Sequence, residues 1–299
     1  MTRKALLYTE MIVADAIVRG NRERLLRYDP VERPVALQLG GAEPARLKEA
    51  SRIGADFGYG EINLNVGCPS DRVQSGTFGA CLMKTPTLVA DCVAAMRAAV
   101  DIPVTVKCRL GVDDQDPEES LFDFVDKVAA TGCATFIVHA RKAWLEGLSP
   151  KQNREIPPLD YALVVRLKRA RPELTIILNG GIETIAAARA HLEEFDGVML
   201  GRAAYGTPAI LADVDRVIFE DDAPAPEIDD VARGMSAYIK RMAKEGVAPH
   251  HVARHMLGLY HGRPRARLWR RMLSEKGAAT ASDIIDRALA AMHAAPEFA

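Results

Sequence analysis

The chain has 299 residues, 48% of them hydrophobic and 26% charged, with a formal net charge of −1. That suits one large globular domain with a smaller one beside it. It excludes a membrane-spanning protein, because no apolar run approaches the roughly 18 residues a spanning helix needs, and the first residues do not read as a signal peptide. Five cysteines, an odd number without framework spacing, point to a reduced cytoplasmic protein.

In chain order, residues 4–9 predict a strand ending at Glu10, and residues 11–27 a helix. Val35–Leu39 is the next strand, followed by the helix Pro44–Ile53. Glu61–Leu64 is the third strand; it breaks into Asn65-Val66-Gly67-Cys68-Pro69 and a polar, glycine-bearing loop that Cys81-Leu82-Met83-Lys84 closes. The helix 87–100, the strand 103–108, the helix 118–130 and the strand 135–138 follow. The helix 161–171, the strand 174–178, the helix 184–191 and the strand 197–200 complete this half. Strands that read as apolar throughout, alternating with amphipathic helices, predict a parallel sheet covered on both faces.

Polar residues gather just after these strands: Glu10, Gln38, Asn65, Cys68, Lys107, Arg109, His139, Asn179 and Arg202. Functional groups at many strand C-termini mark a (β/α)8 TIM barrel, whereas a doubly wound sheet concentrates them at one switch point. The count is seven strands, so a first βα unit is expected to be missing from this chain, leaving two exposed edges. An acidic, proline-rich linker at 220–228 then leads to predicted helices at 231–244, 252–260, 266–273 and 281–294. The domain division is 1–222 for the barrel and 229–299 for a small all-α domain. From Val231 onward there are 12 Lys and Arg against 5 Asp and Glu, while the preceding part has 27 against 35. A basic module on an acidic body suggests a polyanionic partner.

Several stretches carry chemistry. Cys68 stands at a strand lip where Pro69 ends the ladder, a place that core packing explains poorly and a proton donor explains well. Cys92, Cys108 and Cys133 read as small buried hydrophobes, and Cys81 fits either role. Lys107 and His139 at neighbouring strand tips suit an electron-rich ring that gains negative charge, and the Gln38 amide suits an imide edge. Asn179-Gly180-Gly181 and Gly201-Arg202 follow the last two strands, where barrels often place a phosphate site. No metal is expected: Cys68 and Cys81 lack a partner pair at zinc spacing, and His251 and His255 lack the acidic residue of a zincin. Arg267, Arg270 and Arg271 share one helical face beside Trp269, a pattern that suits phosphate and base contacts. Arg141, Lys142 and Trp144, with Lys151 and Arg154, lie in one long loop after His139.

Together these residues resemble the tRNA-dihydrouridine synthases, most closely the DusA subfamily. The carriers are Asn65-Val66-Gly67-Cys68-Pro69, Gly79-Ala80-Cys81-Leu82-Met83, Val106-Lys107-Cys108-Arg109, His139–Leu145, Asn153–Leu159, Asn179-Gly180-Gly181 and Gly201–Tyr205. In the C-terminal part, Arg254–Leu259 and Ala266–Arg271 also fit. The resemblance implies a barrel that binds FMN, uses NADPH and reduces D-loop uridines, U20 and U20a, to 5,6-dihydrouridine, with a helical domain that binds tRNA. Carried over by position, it implies that Cys68 protonates C5. Gln38, Lys107, His139, Asn179, Gly180, Gly181, Gly201 and Arg202 would hold FMN. Asn65 would sit by the uracil, Arg141 near the target nucleotide, and Lys151, Arg154, Arg267 and Arg270 on tRNA. A cytoplasmic monomer is expected. The family's opening Ala-Pro-Met-Met strand is not in this chain, which puts its FMN affinity in question. The rivals are a small-molecule flavin reductase like the dihydroorotate dehydrogenases and a tRNA-binding chain that does not hold FMN.

Overall fold

All the strand pairings in the computed structural model are parallel; it describes residues 1–70, 78–275 and 281–294. Residues 71–77, most of the predicted polar loop after Pro69, lie outside the described residues. β1 (Leu7–Tyr8) and β2 (Ile12–Val13) both pair with β3 (Val35–Gly40) and share one position in the sheet. β4 (Glu61–Val66), β5 (Val104–Cys108), β6 (Thr135–His139), β7 (Thr175–Asn179) and β8 (Gly197–Met199) follow in chain order. These are the seven positions read from the sequence. Parallel neighbours in sequence order with helices between them are the arrangement of a TIM barrel. Among the described residues β1 and β8 do not pair, so the path has two ends.

Local signals explain where the helices start. Proline occupies the first turn of Pro44–Asp56, Pro86–Arg97 and Pro117–Ala129, where a missing N–H costs nothing. Asp116 caps the last of these by accepting from the N–H groups of Glu118 and Glu119 at 2.9 and 3.0 Å, and Asp160 caps Tyr161–Ala170 through Leu163 N–H.

The predicted helix 11–27 is instead β2, a helix Ala14–Arg19 and a second helix Arg22–Leu26. Gly20 breaks it: its backbone is extended, a Cβ there would lie 2.4 Å from the Ala16 carbonyl oxygen, and Asn21 starts a new helix by accepting from Arg24 N–H. The first strand is also shorter than predicted, and just beyond it the Thr9 hydroxyl accepts from Gln38 N–H.

The chain divides into two compact units. One comprises residues 5–182 with 190–199 and carries the sheet; the other comprises residues 1–4, 183–189 and 200–299. Residues 200–222, which follow the last strand in sequence, thus count with the second unit. Its core gathers Ile228, Ile239, Leu259, Leu273, Ile285 and Leu289 around Trp269, which is fully buried and donates its Nε1–H to Met256 O at 2.8 Å. The predicted helix 252–260 ends at Ala253, followed by a 3-10 turn Arg254–Met256. The chain then turns at Gly258, where the Gly206 carbonyl occupies the place of a side chain. The next helix is Ala266–Ser274, starting where predicted; before it Arg265 adopts a left-handed φ of 60° and donates to Met292 O at the end of Ile284–His293. Among the described residues, no helix is long and apolar enough to cross a membrane.

Candidate active site at the strand tips

The strands are not apolar throughout. β4 reads Glu-Ile-Asn-Leu-Asn-Val, and its odd positions share one face. The register sets Gln38 opposite Asn63, Asn63 opposite Thr105, and Asn65 opposite Lys107. These inward groups bond to one another. Tyr8 and Thr105 hydroxyls donate to Glu61 Oε1 at 2.7 and 2.6 Å. Asn63 Nδ2 donates to Thr105 Oγ1 at 2.8 Å, and Gln38 Nε2 to Asn63 Oδ1 at 2.9 Å. Asn65 Nδ2 donates to Gln38 Oε1 at 2.8 Å. Asn65 Oδ1 then accepts from the N–H groups of Gly67 and Cys68 at 3.0 and 2.9 Å. Burial raises the Glu61 carboxyl above its ordinary range, opposed by the bonds from Thr105 and Tyr8.

Two cations stand at the tip of β5, Lys107 half-buried and Arg109 buried. Lys107 Nζ donates to Asn179 Oδ1 at 2.8 Å, and Asn179 Nδ2 donates to Met199 O at 2.8 Å. Burial, reinforced by Arg109, lowers the Lys107 ammonium from 10.5 to about 8. Arg109 is 3% exposed. It donates to the carbonyls of Gly67, Lys142 and Asn153 at 3.1, 3.3 and 3.0 Å, and burial lowers its pKa to about 10. It thereby joins the loops after β4 and β6.

The Cys68 thiol is half-buried, 3.5 Å from Ser70 Oγ, and its carbonyl accepts from Ala80 N–H at 2.9 Å. Cys81 points elsewhere, 3.1 Å from Phe78 O, with its pKa raised by burial. Cys92, Cys108 and Cys133 are buried, as their apolar surroundings predicted. Burial pushes them up to about 12, 12 and 11, so none of the three competes with Cys68 as a surface thiol.

His139 pairs with Asn179 across β6 and β7. Gly180 and Gly181 have φ of 108° and 71°, and a Cβ on Gly180 would lie 2.6 Å from His139 Cδ2. Only glycine fits a left-handed turn pressed onto the imidazole. Tyr161 OH pins the turn by donating to Gly180 O at 2.6 Å.

The loop after β6 is built on Asn153, fully buried, which accepts from Trp144 N–H and donates to Trp144 O and Leu148 O. Arg141 donates to Glu155 O and Pro157 O within the same loop. Lys142 donates to Gln115 O at 2.6 Å and lies 5.7 Å from the Trp144 ring, which is 39% exposed. Lys151 is exposed and Arg154 half-buried.

Gly201 and Arg202 lie in the other unit, where Gly201 precedes the helix Arg202–Gly206. Arg267, Arg270 and Arg271 are exposed on Ala266–Ser274 and form no ion pair among the described residues. Trp269 corrects one expectation. It is the core residue of that helix and does not stand beside the arginines to stack on a base. His251 lies against His250, and His255 bonds to Tyr205 OH at 2.9 Å.

Lys107, Gln38, Asn65 and the Gly180-Gly181 turn sit on strand tips of one unit. Lys107 uses one of its three N–H donors on Asn179, and Gln38 keeps one N–H beyond its internal bonds. A half-buried cation, an imidazole and a primary amide fit a flat ring with an imide edge and negative charge. The sequence reading passed over Glu61, Asn63, Thr105 and the structural part played by Arg109. The period-two polar pattern in β4 and β5 was the signal for the first three.

The family model described as dihydrouridine synthase matches residues 1–295. A protein of Escherichia coli strain K12 named tRNA-dihydrouridine(20/20a) synthase is 55% identical over 285 residues, 95% of this chain and 82% of that protein. Its namesake in Synechocystis is 54% identical over 275 residues, covering 92% of this chain and 82% of that protein. That of Xanthomonas campestris is 53% identical over 271 residues, covering 91% and 80%.

Lys107 gives a test of the buried charge. Its folded pKa of about 8 lies below the ordinary 10.5, so between those values the unfolded chain binds more protons and stability rises with pH. Urea midpoints measured from pH 7 to 10 are expected to move in favour of the native protein relative to Lys107→Met. A constant difference across that range would contradict the burial of the charge.

Proposed function

The chain belongs to the dihydrouridine synthase family, and from that premise we propose that it reduces D-loop uridines 20 and 20a of tRNA to 5,6-dihydrouridine, with FMN as cofactor and NADPH as reductant. The observation that carries the reading is the placement of Cys68. Its backbone N–H is fastened to Asn65 Oδ1 and the Gly67 carbonyl beside it to Arg109, at the strand tip where Asn65 pairs with Lys107. The relatives' shared name supports the substrate, and it disfavours a reductase of small pyrimidines.

FMN, when bound and reduced, supplies the hydride that C6 of the uracil ring receives. The chain's own residues do the rest. Lys107, with His139 and the spare Gln38 N–H, holds the ring where negative charge gathers. The Gly180-Gly181 turn offers bare backbone to the phosphate; Gly201 and Arg202 are assigned to FMN on the family resemblance alone. Cys68 gives its thiol proton to C5, so one hydride and one proton add across the C5–C6 double bond; solvent restores the thiol. Asn65 keeps the thiol at the uracil face through the loop it holds. Arg141 stands by the target nucleotide. Lys151, Arg154, Arg267 and Arg270 contact tRNA phosphates. Extruding the base from its stack costs about a few kcal/mol, which these contacts offset. The enzyme acts as a cytoplasmic monomer.

Two outcomes test this. Cys68→Ala is expected to lower dihydrouridine formation by about two to four orders of magnitude, the usual worth of a general acid. Bound flavin and its reduction by NADPH should remain as in the native protein. A native rate of product formation would remove Cys68 from the role. Arg267→Ala with Arg270→Ala is expected to weaken tRNA binding and lower the slope of log affinity against log salt by about 1.5 to 2. NADPH-driven flavin reduction should be unaffected, and an unchanged tRNA affinity would contradict the docking role.

A further inference from the structure

Glu61 begins β4, at the far end of the strand from Cys68, and the proposed reaction makes no use of it. It is nevertheless half-buried and accepts two hydroxyl hydrogen bonds at 2.6 and 2.7 Å. Resting on the reading of Cys68 as proton donor, we propose that Glu61 is a positioning residue. Its carboxylate sets the direction of the hydrogen-bond chain Thr105–Asn63–Gln38–Asn65 and so fixes the amide face of Gln38 and the seat of Cys68.

The argument is one of donors and acceptors. A hydroxyl donates or accepts, and a primary amide turns over to exchange its oxygen and nitrogen. A chain of one threonine and three amides therefore runs equally well in either direction. Its ends decide. At the upper end stand the backbone N–H groups of Gly67 and Cys68, which only donate. At the lower end stands the Glu61 carboxylate, which only accepts. Both ends impose the same direction, with every amide oxygen facing upward along the chain toward the next donor. Without the carboxylate, only the N–H end still sets the direction: the Thr105 hydroxyl is released to donate to Asn63, and the chain is shared between its two directions. In the reversed one Asn63, Gln38 and Asn65 are turned over, the Asn65 NH2 faces the two N–H groups, and Gly67 and Cys68 lose their anchor. Asn63 and Thr105 are 0% and 1% exposed, so water does not repair the reversed chain.

The test reads the anchor directly. In full-length protein labelled with 15N-cysteine and 15N-glycine, hydrogen exchange is followed at the amides of Gly67 and Cys68. Cys92 and Cys133 serve as internal references. Glu61→Ala is expected to speed exchange at Gly67 and Cys68 by about fivefold to tenfold, the worth of one hydrogen bond, with the references unchanged. Glu61→Gln keeps an acceptor oxygen and is expected to restore protection. Thr105→Val cuts the chain one link higher and should reproduce the effect, which covers the case in which Glu61→Ala does not fold. Unchanged exchange at Cys68, or equal acceleration at all four amides, would overturn the proposal. In the same variants kcat for dihydrouridine should fall with KM for tRNA unchanged. Selective loss of protection with native kcat would overturn the positioning role, whereas absence of product from the native enzyme would instead overturn the reading of Cys68.

Discussion

Everything at the site depends on one requirement: the polar groups that line the inner face of the sheet must satisfy one another where water does not reach. A buried amide left without a partner costs about 1–3 kcal/mol. Here the first position of β4 and the loop that follows it are joined by consecutive bonds through Thr105, Asn63, Gln38 and Asn65. Gly67 and Cys68 take their backbone positions from the strands beneath them. The same bonds leave Gln38 with a defined remaining donor, which is what recognition of an imide edge requires.

The second constraint is charge. Lys107 is half-buried and Arg109 buried, yet among the described residues neither has a carboxylate partner. Lys107 rests on the side-chain oxygen of Asn179, and Arg109 on three carbonyls. Neutral acceptors satisfy the N–H groups without cancelling the positive charge. That leaves a site suited to an anionic ring, and burial lowers both groups for want of such a counter-charge. Asn179 is thus a strut: it aligns Lys107 and ties β7 to β8 through Met199.

The architecture was legible because parallel strands and their helices carry strong local signals. Seven strand positions, the helix that starts at Pro44 and the buried cysteines could be read from pattern alone. The inner face was misread because its polar residues alternate with Ile, Leu and Val, so a window average reports an apolar strand. Glu61, Asn63 and Thr105 bond to partners at sequence distances of about 25 to 50 residues, information that no local window holds. The split at Gly20 rested on a close approach of backbone to backbone, and Trp269 looked like a partner of the arginines because it is adjacent to Arg270 in sequence. One helical turn places it in the core instead. Arg109 was visible as a strand-tip cation, but its three carbonyl partners come from loops that only the fold brings together.

The most direct measurement is single-nucleotide mapping of dihydrouridine in an unmodified tRNA after incubation with this protein, FMN and NADPH. The account predicts dihydrouridine at positions 20 and 20a, dependent on NADPH. Reduction elsewhere in the tRNA, or none in the presence of bound flavin that NADPH reduces, would contradict it.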